Sequence, residues 1–151
     1  MTEELGIYIQ PISPELPAGE SIRYLPIWNE LQDMRRQEDE RLPKGAWQRA
    51  PVRADFRRLE ELCSEILTSQ SKDFQVVMWL LEAWTMQHGS QGFCAGLRVL
   101  DEMIETFWSD GHPAWSKDDF EARESAFIWF ATEIPEILKR AVWLVPDVLT
   151  E

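Results

Sequence analysis

The chain is poor in the residues that most often carry chemistry, with two cysteines, two histidines and two tyrosines among 151 residues. Cys63 and Cys94 each fall within an apolar helical pattern, where a reduced thiol behaves as a small hydrophobe, so a disulfide framework is not expected. Neither cysteine has a Cys or His neighbour at the short spacing of a zinc knuckle. No metal site and no cofactor is therefore expected. No apolar run approaches the roughly 18 residues of a membrane span, and the first residues lack the basic-then-apolar order of a signal peptide. The chain reads as soluble and cytoplasmic, with no membrane insertion. Gly89, Gly92 and Gly96 do not form a phosphate cradle, because no Lys-Ser or Lys-Thr follows them and no strand precedes. Internal repeats and the two-residue alternation of a sheet are missing as well.

Positive charge is also scarce: 15 Lys and Arg stand against 27 Asp and Glu, a net charge of -12. That balance excludes binding of a phosphate backbone by the domain as a whole, so no nucleic-acid partner is expected. The sign is nevertheless uneven. Residues 35 to 58 hold eight bases against four acids, and residues 101 to 151 hold twelve acids against four bases. Charged helix faces are usually just solvated. The sharper expectation is a polar docking surface on the basic segment, with Arg35, Arg36, Arg41, Arg49 and Arg53 as candidate partner contacts.

What the chain has in quantity is large apolar side chains, including eight Trp and seven Phe. Its length suits one domain, burying about two-thirds of its unfolded surface in a single core. Residues 1 to 25 carry Pro11, Pro14 and Pro17 and no sustained period, which predicts an extended arm anchored by Ile7, Tyr8, Ile9 and Ile12. Residues 26 to 151 read as the helical domain. Pro26 opens a first helix with Leu31 and Met34 on its inner face, ended by Leu42-Pro43-Lys44-Gly45. Phe56, Leu59, Cys63, Ile66 and Leu67 mark a second, one-faced helix. From Phe74 to about Gln87 the pattern is apolar on nearly every side, so this third helix, centred on Trp79, must be surrounded by protein. Gly89 stops it. A fourth helix from Ser90 places Phe93, Leu97, Leu100, Ile104 and Phe107 on one stripe, and a last one places Phe127, Phe130, Ala131, Ile134 and Leu138 inward. Pro135 should kink or break that last helix. The fold class is all-α: a single compact helical domain of about six helices with an extended proline-rich N-terminal arm.

Several residue groups invite a functional reading. Ser71-Lys72-Asp73 precedes the buried helix, where Ser71 or Asp73 can cap orphan amides and Lys72 needs a partner, such as a carboxylate of the preceding helix. Gly92 and Gly96 lie four apart and form a small-residue face for close approach to the helix of Trp79 and Trp84. Arg23 and Tyr24 close the arm, Arg23 through a carboxylate and Tyr24 through a buried ring with a wet hydroxyl. Gln91-Gly92-Phe93-Cys94 has the outline of a cysteine nucleophile, with His88 and His112 as the histidines available. A small cysteine hydrolase is thus one alternative, but the helical setting predicts that Cys94 is buried and structural.

Four stretches together resemble a known family: Pro11-Ile12-Ser13-Pro14-Glu15-Leu16-Pro17-Ala18-Gly19-Glu20-Ser21-Ile22-Arg23-Tyr24, Ser71-Lys72-Asp73 running into Trp79-Leu80, Gly92-Phe93 with Gly96-Leu97, and Phe107-Trp108 with His112-Pro113. They look like the ImpA N-terminal domain of TssA-type subunits of the bacterial type VI secretion system, over about Pro11 to Leu144. The resemblance implies a non-catalytic scaffolding module that links the baseplate or membrane complex to the tail tube and sheath, in the cytoplasm and peripheral to the inner membrane. It also implies that oligomerisation belongs to regions beyond this chain, which would be truncated from a longer protein. A TagA-like sheath-stopping protein, which carries the same type of domain, is the alternative within the family.

Overall fold

The structure, a computed structural model, describes residues 4–36 and 54–144. A 3-10 helix, Glu4–Ile9, is followed by α1 (Pro26–Arg35), α2 (Phe56–Ser69), α3 (Phe74–His88), α4 (Ser90–Phe107) and α5 (Glu121–Leu144). Among the described residues there is no strand, and the domain is all-α. The expected helix end at Leu42–Gly45 lies outside the described residues, as do Arg41, Arg49 and Arg53; α1 itself ends at Arg35.

α3 is the axis of the molecule. Every residue from Phe74 to Thr85 is buried, because α2, α4 and α5 all pack on it. A helix apolar all round has no other stable place in a water-soluble fold. α2 contributes Leu59, Leu62, Cys63, Ile66 and Leu67 to the shared core, and α4 contributes Ala95, Val99, Leu100, Met103 and Phe107. Close approach of α4 to α3 depends on glycine. A β-carbon on Gly92 would lie 2.0 Å from the Trp84 carbonyl oxygen, and one on Gly96 would lie 2.6 Å from the Leu81 side chain. The α3–α4 link is the single residue Gly89, whose φ of 64° an L side chain adopts only with strain.

Four sequence expectations are corrected. The arm does not run extended throughout, since Glu4–Ile9 turns as a 3-10 helix; this turn buries Leu5 and Tyr8 and leaves Ile7 half in water. On α4 the buried stripe is rotated from the expected one: Leu97 is exposed and Phe93 and Ile104 are only half-buried, because the two glycines and Ala95 bring the other side of the helix onto α3. Ala131 likewise faces out, and Arg123, Ala126, Ile137 and Ala141 are the buried ones among the α5 residues whose side chains are described. Finally, α5 continues through Pro135 as one helix. Pro135 and Ala131 both lie on the exposed side, so water can take the carbonyl that loses its amide, which removes much of the usual cost.

Candidate functional site

Ser71, Lys72 and Asp73 bridge α2 and α3 as a short extended segment, and the two isolated β-bridges of the fold fall on them, Gly19 with Ser71 and Asp73 with His112. The arm lies on one side, with the Lys72 amide donating to the Ala18 carbonyl at 2.8 Å. The loop after α4 lies on the other, with the His112 amide donating to the Lys72 carbonyl and the Phe74 amide donating to the His112 carbonyl, both at 2.8 Å. A second bond, 2.8 Å from His112 Nε2 to the Gly19 carbonyl oxygen, joins arm and loop directly. Three stretches far apart in sequence thus meet at one point.

Each side chain of the segment has its own task. Asp73, fully buried, caps α3 by accepting from the amides of Gln75 and Val76. The same carboxylate takes two bonds from Arg23, whose guanidinium lies 4.4 Å from the centre of the Trp28 ring. Burial pushes the Asp73 carboxyl up, and the Arg23 charge and the capping amides pull it back. Lys72 is fully buried and, contrary to expectation, finds no carboxylate among the described residues. Its ammonium donates to the carbonyls of Leu67, at 2.6 Å, and Tyr8, at 2.7 Å, and lies 5.3 Å from the centre of the Phe107 ring. The Leu67 carbonyl belongs to the last turn of α2, where a cation is favoured, while the Tyr8 carbonyl belongs to the arm. Burial without a counter-charge lowers Lys72 to about 8. Ser71 is buried with its hydroxyl unpaired, so the cap is Asp73 alone.

Two further buried polar clusters lie away from the Ser71–Asp73 segment. Glu82, 2% exposed in the middle of α3, accepts from Arg35 Nε at 2.6 Å and Nη2 at 3.2 Å, and from Arg140 Nη2 at 3.4 Å. Arg35 lies between the Trp79 and Trp129 rings, 5.4 and 4.7 Å from their centres. It is a structural residue, which removes it from the expected docking surface. The one carboxylate in an otherwise apolar buried helix was the available signal, since such a charge must be paired. Arg123, 1% exposed, donates to the carbonyls of Trp108, Gly111 and Pro113 and so ties the loop after α4 to α5. An arginine within an amphipathic pattern gives no comparable signal.

Tyr24 and Cys94 depart from expectation. Tyr24 is 99% exposed, because Arg23 alone turns inward to fasten the arm. Cys94 is exposed on the outer face of α4, opposite the glycine stripe, whereas Cys63 is buried and its thiol is pushed up by burial. Cys94 lies in the second turn of α4 and His112 beyond its far end, a separation of about 20 Å at 1.5 Å per residue. His112 is in any case engaged with Gly19. A thiolate and its base need hydrogen-bond contact. Among the described residues no group of three His, Cys, Asp or Glu could hold a metal ion. An open groove of about 430 Å³ beside the arm has Glu20 as its one titratable side chain.

The family model for ImpA, N-terminal, type VI secretion system matches residues 9–132. The chain belongs to this family. The match takes in the arm from Ile9 onward, the Ser71–Asp73 junction, the glycine face of α4 and the Arg123 clamp. The domain is 24% identical over 143 residues, 95% of its length, to the type VI secretion system component TssA1 of Pseudomonas aeruginosa. It spans 41% of that relative. Among solved structures it is similar to the N-terminal domain, including the conserved ImpA_N region, of the TssA component of the type VI secretion system from Burkholderia cenocepacia, with a TM-score of 0.73 and 27% identity. That likeness covers 89% of this chain and 49% of the other. This ImpA N-terminal domain is thus a TssA-type domain of a bacterial type VI secretion system. No helix among its described residues is long and apolar enough to cross a membrane.

Proposed function

We propose that this domain is a non-catalytic scaffolding module that links the baseplate or membrane complex of the secretion apparatus to the tail tube and sheath. The observation that carries the reading is where its polar side chains are spent. Arg23, Lys72, Asp73, Glu82, His112 and Arg123 all engage partners within the fold, which leaves its outer faces for other proteins. A catalytic site would need some of these groups held open toward a substrate. The named relatives, a TssA1 component and a TssA N-terminal domain, support a place in the type VI secretion system. On this reading the domain works in the cytoplasm at the inner membrane, and assembly into larger rings belongs to sequence outside it.

The test is co-purification of the chain with baseplate, sheath, tube and membrane-complex proteins of its own secretion system. Capture of a baseplate or sheath component is the expected result. Failure to bind any of them, with the fold intact by circular dichroism, would remove the scaffolding role.

A further inference from the structure

Four of the large apolar side chains that the fold leaves in water belong to one stretch. Trp108, Trp115, Phe120 and Ile128 are 42%, 48%, 42% and 57% exposed. Summed over the four, on the order of 300–400 Å² of apolar surface stays exposed within 21 residues of chain, and exposed apolar surface of that extent often marks an interaction site. The fold holds this stretch together. Arg123, at the start of α5, clamps the carbonyls of Trp108, Gly111 and Pro113, and the Trp108 ring leans on Phe127 with centres 6.0 Å apart. Ser116 and Asp119 close a turn, the Ser116 amide donating to the Asp119 carbonyl at 2.9 Å and the Asp119 amide to Ser116 Oγ at 3.0 Å. The Glu124 amide donates to the Phe120 carbonyl, so Phe120, Glu124 and Ile128 follow at helical spacing, all of them exposed.

The charge around these side chains has one sign. Asp110, Asp118, Asp119, Glu121 and Glu124 are exposed, while Lys117 is the one exposed base from Trp108 to Ile128. Arg123 is buried and spent on carbonyls. Trp115 has no aromatic or cationic partner among the described residues, and 48% of its surface stays exposed.

We infer that this face docks a partner segment in which arginine or lysine flanks apolar side chains. The inference rests on the reading of the domain as a binding module and supplies the face and the partner chemistry. Tryptophan and arginine are enriched among the residues that dominate interface energy, and an indole face attracts a guanidinium. The acidic rim steers a basic partner and repels an acidic one. A second copy is disfavoured because it would bring the same five carboxylates against themselves. Nucleic acid and anionic lipid are repelled by the same charges.

The probe is a short fluorescent peptide with leucine and arginine at helical spacing, and its counterpart with glutamate for arginine, each titrated with the 151-residue chain at increasing salt. The arginine peptide binds, with affinity falling as salt rises, and the glutamate peptide does not. Trp115→Ala weakens binding about tenfold or more, as expected of a central aromatic anchor, and Trp115→Phe restores part of it. The triple change Asp118→Asn, Asp119→Asn, Glu121→Gln weakens binding and flattens the salt dependence. Glu15→Gln, Glu30→Gln, Glu65→Gln, an equal change of charge at other exposed sites, leaves binding intact. Equal loss in both triples, or full binding by Trp115→Ala, overturns the inference. A dimer that Trp115→Ala dissociates would also overturn it, by giving the face to a second copy. Binding of secretion components that survives every change on this face would defeat the inference and leave the binding-module reading standing. Failure of the unaltered chain to bind any component would defeat both.

Discussion

Arg23 and Asp73, 50 positions apart, are joined by two parallel hydrogen bonds, Nε to Oδ2 at 3.2 Å and Nη2 to Oδ1 at 3.3 Å. The pair recurs in kind two and a half turns further along α3, where Arg35 grips Glu82 in the same two-point manner. Between them the Trp28 and Trp79 rings lie against each other, centres 4.8 Å apart. Arg23 covers Trp28, and Arg35 reaches Trp79. The arm and α1 are thus fastened to the central helix by alternating ion pairs and indoles. Each buried carboxylate would be costly alone, and each is met by a planar guanidinium with two donors.

Arg23→Ala should therefore cost about 3 kcal/mol, because it strands the fully buried Asp73 charge. Asp73→Asn should cost less, since its side-chain oxygen can still cap α3 and accept from Arg23. Asp73→Ala, which loses cap and pair together, should be the most damaging of the three. Urea midpoints rank them. A change under about 0.5 kcal/mol for Arg23→Ala would mean the ion pair contributes nothing.

Lys72 gives the domain an unusual response to alkali. Its folded value of about 8 lies below that of an ordinary lysine, so between these two values the unfolded chain binds a proton that the folded chain has released. Stability then rises with pH in that window, by at most about 1.4 kcal/mol per pH unit. The unfolding free energy measured at pH 7.5, 8.5 and 9.5 should show this contribution, and Lys72→Met should lack it. Parallel pH curves for the two proteins would place the ammonium in water.

Gly92→Ala tests the helix contact. A β-carbon 2.0 Å from the Trp84 carbonyl oxygen meets backbone, which cannot step aside as a side chain can. The change should cost about 2–4 kcal/mol, by the measure of core overpacking and above. Gly6→Ala, with nothing within 4 Å of the new carbon, should be within about 0.5 kcal/mol of the parent. Equal melting temperatures for the two variants would mean that α4 can shift freely on α3.

Much of this architecture was legible in the sequence. The Phe74–Ala83 run announced a surrounded helix because an apolar period with no polar face has only one interpretation in a soluble fold. The family resemblance was legible too, since its motifs are spread along the chain in order. The glycine face of α4 was legible as the side that approaches α3, but its apolar stripe was only partly so, because Phe93, Leu97 and Ile104 look as inward on paper as Leu100 and Phe107 and yet stay half-buried or exposed. Close approach to the α3 backbone chose the smaller residues. The partner of Lys72 was hidden for a different reason. Backbone carbonyls carry no sequence signature, so nothing in the chain marks Leu67 and Tyr8 as its acceptors.

Cys94 and Cys63 should separate cleanly in alkylation. Cys94 is exposed and Cys63 has no exposed surface, so one thiol equivalent should react in the native protein and the second only on unfolding. Mass spectrometry of the labelled peptides assigns them. Reaction of Cys63 at the rate of Cys94 would show that the contact between α2 and α3 opens readily.

Arg35 and Arg36, adjacent in sequence, should respond in opposite ways to charge reversal. Arg36 is exposed at the end of α1, so Arg36→Glu should alter stability by about 0.5 kcal/mol or less. Arg35→Glu places a second carboxylate against Glu82, which is 2% exposed and, among the described residues, would keep the longer, 3.4 Å contact with Arg140. Like charges that close in a buried setting cannot both remain ionised, so the cost should reach about 3–5 kcal/mol and the arm side of the domain should loosen. Loss of partner binding by Arg35→Glu would therefore report unfolding, whereas loss by Arg36→Glu would report a contact. Thermal melts of both variants decide the matter: equal melting temperatures would mean that Arg35 does not hold Glu82 in solution, and would return it to the candidate docking surface.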